Sequence, residues 1–346
     1  MKQSRNVSLQ RFNTFGVPAT ASRVTQLSRV EDLAGCTFMP GRDLVLGGGS
    51  NLLLAGDIEG NVFLNRMAGM RLLEDSHEGA LVECASGELW HSMVLWSLAH
   101  GLSGLENLSL IPGLVGAAPI QNIGAYGVEL SDVLVSVGCW DWLAGEPVEL
   151  TAEDCRLGYR TSRFKTDDAD RFLVTSIRMN LARRFQPRLE YAGIEEQLGA
   201  MGVSEVTADL VSRAVIALRK RKLPDPALVG NAGSFFKNPA VTADLADTLK
   251  ADFPTLPAYP AGDGRYKLSA AWMIDHCGWK GHRAGDAGVS DQHALVLVNH
   301  GTASGRELLE LARRVAASVQ NRFGVALEPE PVIVGAPWRE SERPDS

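Results

Sequence analysis

The sequence predicts a chain of mixed helices and strands folded as two or three domains, and three observations carry that expectation. Its 346 residues exceed one ordinary core, at roughly 150 residues per domain. Short apolar runs bounded by Gly and Asp are interspersed with longer stretches of helical spacing. Leu223-Pro-Asp-Pro226 ends a polar, helix-favouring region, and each Pro biases the residue before it out of the helix, so a domain boundary is expected near it.

Taken in order, the first segment runs to about Arg66. Its runs Asp43-Leu-Val-Leu-Gly47 and Gly60-Asn-Val-Phe-Leu64 read as short strands of a βαβ-like unit. Leu81-Val-Glu-Cys-Ala85 is a further strand, and Leu89 to His100 has helical spacing until Gly101 stops it. Leu110 to Gly127 has no charge and neither period, and is dense in Gly, Ala and Pro. Strands follow at Val133 to Trp142 and Phe172 to Leu181, joined by the charged segment Leu157 to Asp170. Val203 to Lys222 favours helix. The last third holds a helix from Leu268 to His276, a strand from Ala294 to Asn299 and a helix from Gly305 to Phe323 with an apolar stripe at Leu308, Leu309, Leu311, Val315 and Val319. The charged tail after Trp338 is expected to be disordered. The chain has no internal repeat and no low-complexity tract.

Composition narrows the partner. A net charge of −7 gives no footprint for nucleic acid or an anionic membrane surface, which leaves a small molecule. Met1 to Leu9 has no apolar region behind its basic residues, and no run approaches the roughly 18 apolar residues of a spanning helix, so a cytoplasmic protein without membrane insertion is expected. Cys36, Cys84, Cys139, Cys155 and Cys277 have no paired spacing and read as small buried hydrophobes. His276, His282, His293 and His300 form no HxxxH or HExxH spacing, so no metal site is expected.

Five stretches can carry chemistry. Gly47-Gly-Gly-Ser-Asn51 follows an apolar strand, and its N–H groups could form a nest for phosphate oxygens or serve a tight strand-connecting turn. It lacks the GxGxxG spacing of a Rossmann site. The long uncharged loop through Ile111 to Gly127 must satisfy its backbone on something, either a flat heteroaromatic cofactor or a close-packed neighbouring domain. Tyr159-Arg-Thr-Ser-Arg-Phe-Lys165 is either a solvated surface or a bidentate grip on a carboxylate or phosphate. Gly230-Asn-Ala-Gly-Ser-Phe-Phe-Lys-Asn-Pro239 displays Ser234 between glycine and aromatics, as a turn residue or a proton donor. No nucleophile-elbow spacing supports an acyl-transfer triad. Leu327-Glu-Pro-Glu330 puts two carboxylates on one face if extended, yet nothing else supports a glycosidase.

The ordered set resembles the UDP-N-acetylenolpyruvoylglucosamine reductases of bacterial peptidoglycan synthesis. It comprises Asn13-Thr-Phe-Gly16, Leu46-Gly-Gly-Gly-Ser-Asn-Leu52, Ile111-Pro-Gly113, Gly116 to Gly127, Tyr159-Arg160, Gly230 to Lys237 and Leu327 to Glu330. The resemblance spans nearly the whole chain. It implies an α+β fold: two FAD-binding subdomains of the vanillyl-alcohol-oxidase (PCMH) type, residues 1–66 and 67–211, then a C-terminal α+β substrate-binding domain, 212–330, and a final strand and tail, 331–346. It implies non-covalent FAD on Gly47, Gly48, Gly49, Ser50, Asn51, Gly113, Gly116, Ala117, Ile123 and Gly124, NADPH as reductant, and a monomeric cytoplasmic enzyme with ping-pong kinetics.

Residue by residue, the resemblance puts the proton donor on Ser234, the substrate-polarising arginine on Arg160 and the catalytic glutamate on Glu330. The substrate, UDP-N-acetylglucosamine enolpyruvate, would be held by Tyr126, Tyr159, Tyr191, Arg219, Lys222, Asn238 and Lys280. Phe185 to Tyr191 stands where the family's longer form carries a tyrosine loop. Pro331 departs from the pattern: it cannot donate to a ladder, so the last strand should start later or lie at an edge. Two alternatives remain. One is an oxygen-using alcohol oxidase on the same fold, many of which attach flavin through a His that neither glycine loop has. The other is a non-catalytic nucleotide-sugar binding protein, which would not need Ser, Arg and Glu together.

Overall fold

Alternation and helical spacing become elements where the apolar face has something to cover, as a computed structural model of residues 1–191 and 193–339 shows. The tail from residue 340 onward lies outside the described residues. In chain order the strands are β1 (Lys2–Ser8), β2 (Thr20–Leu27), β3 (Leu44–Leu46), β4 (Leu52–Leu54), β5 (Ile58–Asn65), β6 (Met70–Asp75), β7 (Gly79–Ala85), β8 (Gly124–Ala125), β9 (Val128–Glu129) and β10 (Leu134–Asp141). They continue with β11 (Glu146–Thr151), β12 (Phe172–Ala182), β13 (Gly230–Ser234), β14 (Ala240–Thr242), β15 (Ala258–Pro260), β16 (Arg265–Leu268), β17 (Arg283–Ala284), β18 (Ala287–Val289), β19 (Val296–Asn299) and β20 (Val332–Val334). The helices are α1 (Trp90–Ala99), α2 (Ile194–Ala200), α3 (Ala208–Lys222), α4 (Ala243–Asp252), α5 (Ala270–His276) and α6 (Gly305–Phe323). The class is α+β.

Two compact units divide the chain. The first gathers residues 1–7, 21–48 and 58–221, the second 8–20, 49–57 and 222–346. The first unit holds a sheet in the order β1-β2-β5-β3, with β5 parallel to both β2 and β3, and an antiparallel sheet in the order β11-β10-β12-β7-β6. Alternation in β7 turns Ala80, Val82 and Cys84 inward, where α1 lays Trp90, Met93 and Val94 over Val137, Ile177 and Met179. The βαβ-like expectation for the first segment is corrected in one respect. A six-residue 3-10 helix, Val30–Gly35, stands in place of the α-helix, because it has a single buried side chain, Leu33, to dock. A second cluster of Ile194, Leu198, Val211, Ala214, Val215 and Leu218 packs α2 on α3.

In the second unit a four-stranded sheet runs β13-β19-β18-β17, a three-stranded one β14-β16-β15, and β20 pairs in parallel with β4. The expected stripe of α6 is buried, and the helix has both of its ends specified. Ser304 and Glu307 form a reciprocal capping box, and Gly324 closes the C-terminus at φ +68°. Pro331 sits as anticipated: the last strand begins at Val332, after it.

Cys84, Cys139 and Cys155 are buried free thiols, whereas Cys36 and Cys277 are half-buried, so the reading of all five as core residues holds for three. Burial raises the thiol pKa of those three, to about 11 for Cys155, which keeps them protonated and unreactive. Among the described residues no helix is long and apolar enough to cross a membrane.

Candidate functional site

In the first unit, the sequence-predicted residues converge on a short hairpin. Gly158 and Thr161 exchange backbone hydrogen bonds at 3.1 and 3.2 Å, leaving Tyr159 and Arg160 as the turn. The Arg160 guanidinium donates to the Gly124 carbonyl at 2.7 Å and to that of Asn122 at 3.5 Å, and lies 5.7 Å from the Tyr159 ring centroid. Gly124 is needed there, since a Cβ would stand 2.9 Å from the Glu129 side chain and 3.4 Å from Arg160 Nη1. Three non-glycine residues of this corner, Asn122, Tyr126 and Arg160, hold φ near +50°. Bulky residues rarely adopt that conformation, and such strain collects at functional sites.

Charge is concentrated in the same corner. Arg219, on α3, has a buried Nε with no hydrogen-bond partner. Burial pulls its pKa below the usual arginine value, Tyr126 acts against that, and the neighbouring Arg160 adds to it. The Tyr126 and Tyr191 rings meet edge to face at 5.0 Å, and burial raises the Tyr126 pKa. A buried guanidinium nitrogen without a partner is a donor that an anion could satisfy.

The second unit assembles the other motifs through the backbone. Asn231 is buried, donates to the Pro224 and Val229 carbonyls at 3.0 and 2.9 Å, and accepts from Gly233 N–H at 3.0 Å. That knot holds a bulge between Asn231 and Ser234, with Gly233 at φ +70°, before Ser234 pairs with Val296. One residue on, the Phe235 carbonyl accepts the Glu330 N–H at 2.8 Å, and the Glu330 carbonyl accepts from Asn51 Nδ2 at 3.4 Å. Ser234, Glu330 and Asn51 are therefore brought together by chain register. Glu328 is separated from Glu330 in role: it is exposed and ion-paired with Lys237 at 3.2 Å. Asn238 Oδ1 accepts the Ala270 N–H at the start of α5, at 3.0 Å.

Sequence reasoning passed over His293. Its Nδ1 accepts the Leu295 N–H at 3.2 Å, leaving the proton on Nε2. Burial, and then the charges of Lys222 and Lys280, hold it below the ordinary histidine pKa. No motif marks it in the sequence. Its position comes from the turn before β19, the partner strand of β13.

The glycine loops do two jobs. Among the described residues the backbone N–H groups of Gly47, Gly48, Gly49 and Ser50 have no protein acceptor, as a phosphate-binding nest requires. The N–H groups of Gly116, Ala117 and Ile123, by contrast, go to Ser86, Leu114 and Ala118 carbonyls, so these residues can meet a cofactor by close approach only. Chain packing also demands glycine: a Cβ on Gly48 would lie 3.0 Å from Gly113 Cα, and one on Gly116 2.6 Å from Ser86 Cβ. The donor set fits a phosphate-bearing cofactor such as FAD. Gly49 has φ +62° and a Cβ there would stand 2.0 Å from the Phe12 carbonyl oxygen. Gly49→Ala is expected to cost about 2–4 kcal/mol of stability in a denaturant titration. Gly47→Ala, whose Cβ would meet Leu114 at an ordinary 3.5 Å, should cost well under half of that.

The chain matches two family models: a FAD binding domain over residues 40–151, and the C-terminal domain of UDP-N-acetylenolpyruvoylglucosamine reductase over residues 225–334. The UDP-N-acetylenolpyruvoylglucosamine reductase of Chromobacterium violaceum is 52% identical, across 95% of this chain and 98% of its own. That of Pseudomonas putida is 48% identical, across 94% and 97%. The solved structure of the Thermus caldophilus reductase, at 27% identity, covers 96% of this chain and 98% of its own with a TM-score of 0.66.

Proposed function

The chain belongs to the UDP-N-acetylenolpyruvoylglucosamine reductase family, and from that membership we propose that it reduces UDP-N-acetylglucosamine enolpyruvate to UDP-N-acetylmuramate, using FAD and NADPH, in the cytoplasm and as a monomer. The observation that carries the reading is the backbone register that sets Glu330 against Phe235, beside the bulged Ser234.

The chemistry a bound FAD supplies is hydride transfer, taken from NADPH and given to the terminal methylene of the enol ether. Gly47, Gly48, Gly49 and Ser50 would hold it through their N–H groups, with Asn51 beside them and Gly113, Gly116, Ala117, Ile123 and Gly124 in close approach. As the carbon–carbon double bond breaks, negative charge develops on the carbon bearing the carboxylate. Arg160, pre-oriented by the Gly124 carbonyl, and Glu330, in its protonated acid form, stabilise that charge. Ser234 gives a proton to the same carbon and completes the lactyl ether. Tyr126, Tyr159, Tyr191 and Arg219 offer donors and one cation pair partner to the polyanionic substrate, as do Lys222, Asn238 and Lys280.

Both halves of this reading are tested together. Purified protein should be yellow, lose its flavin absorbance when NADPH is added without oxygen, and regain it on addition of UDP-N-acetylglucosamine enolpyruvate. Protein that never carries flavin, or whose bleached flavin ignores the enolpyruvyl ether, is not this reductase.

A further inference from the structure

Asn107 is 1% exposed, and it sits in a short 3-10 turn, Glu106–Leu108, fixed on several sides. The Leu108 carbonyl accepts Trp90 Nε1–H at 3.0 Å, Glu106 takes the Gly104 N–H at 2.7 Å, and the Ser109 hydroxyl bonds that of Ser212 on α3 at 2.8 Å. From this rigid base the amide nitrogen donates two hydrogen bonds of 2.8 Å, one to the Tyr126 carbonyl and one to the Arg188 carbonyl. The amide oxygen is buried without a partner. A buried, half-satisfied amide is unfavourable unless its donations are worth having.

Those two carbonyls belong to two separate segments. Tyr126 and Gly127 form the two-residue turn of the β8–β9 hairpin, both at positive φ, +53° and +80°, a turn that favours Asn and Gly over a ring-bearing residue. Arg188 lies within Phe185 to Tyr191, which has no regular secondary structure and rests Phe185 and Leu189 on the α2–α3 cluster. Tyr191 ends it, with its ring against Tyr126.

We infer that Asn107 is a positioning residue: its two donations clamp the strained Tyr126 turn to the Arg188 carbonyl, and so set the Tyr126–Tyr191 ring pair that receives the substrate. The inference rests on the proposed reading of Tyr126 and Tyr191 as substrate contacts. Asparagine is required because one nitrogen must serve two acceptors. Aspartate keeps the shape and offers oxygens to both.

The test uses the full-length flavoprotein and both half-reactions. Asn107→Asp should raise KM for UDP-N-acetylglucosamine enolpyruvate by roughly tenfold or more, as a misplaced contact does, while NADPH still reduces the flavin at its normal rate. In a Tyr191→Ala background the same substitution should add little. If Asn107→Asp does not fold, Asn107→Ala is read in the same way. Two outcomes overturn the clamp while leaving the substrate reading intact: Tyr191→Ala raises KM but the Asn107 variant does not, or the Asn107 variant slows both half-reactions equally. If Tyr191→Ala leaves KM unchanged, the substrate reading fails and the clamp's function fails with it.

Discussion

On the proposed role of Ser234 as proton donor, Ser234→Ala is expected to slow turnover on the order of 10³-fold while NADPH still bleaches the flavin at the wild-type rate, because a positioned proton donor is typically worth about 10²–10⁴. The loss should appear in the second half-reaction alone, as slow recovery of flavin colour after the enolpyruvyl ether is added in a stopped-flow instrument. An unaided serine hydroxyl is a very weak acid at neutral pH, so its usefulness as a proton donor depends on placement. The bulge that Asn231 braces and Gly233 permits shifts the backbone at Ser234 out of regular pairing. Alanine keeps that backbone and its pairing with Val296, so fold and flavin should persist. Wild-type colour recovery in Ser234→Ala would show that another group delivers the proton.

Replacing Glu330 should cost nearly as much, about 10²–10³ in turnover, the usual loss when one group stabilising a developing oxyanion is removed. The choice of replacement reveals what the carboxyl does. If Glu330 donates a proton or hydrogen bond, Glu330→Gln, whose amide can still donate, should retain clearly more activity than Glu330→Ala. Equal activities would mean that the group works as a carboxylate. Neither change touches the Glu330 N–H bond to Phe235, so the strand register should survive, and the melting temperature should confirm it.

What the sequence made legible was whatever repeats with a period or carries a punctuation residue. Helix α6 could be read from first residue to last because a wide apolar stripe lies between a capping box and a left-handed glycine. Elements with little to bury escaped. Strand β11 has Leu150 as its single buried residue and lies at the edge of its sheet, and α4 buries only Ala246 and Leu249. The site divides in the same way. Motif-borne candidates such as Ser234 and Glu330 can be picked out of the sequence, whereas His293 and Asn107 owe their positions to tertiary contacts between segments with no shared pattern. The loop from Leu110 to Gly127 was visible as unusual, but its two 3-10 turns and the β8–β9 hairpin were not, since neither leaves a long enough period to detect. The glycines illustrate a subtler limit. Their spacing announces close approach without saying to what, and for Gly48 and Gly116 part of the answer is the protein's own chain.

The pairing of β4 with β20 also bears on how the protein is made. Leu52, Leu53 and Leu54 are fully apolar and buried against a strand that lies almost at the other end of the chain, in register from Val332 to Val334. The α6 N-terminus closes over the same place, with Gly305 so near that a Cβ would fall 1.7 Å from the Leu54 carbonyl oxygen. During synthesis the first unit can condense from residues already translated, while the leucine strand waits for its partner until Val332–Val334 have left the ribosome. Contacts of such sequence separation are slow to form, and a bare apolar strand is a site for wrong pairing in the interval. The second unit is therefore expected to fold as the late step.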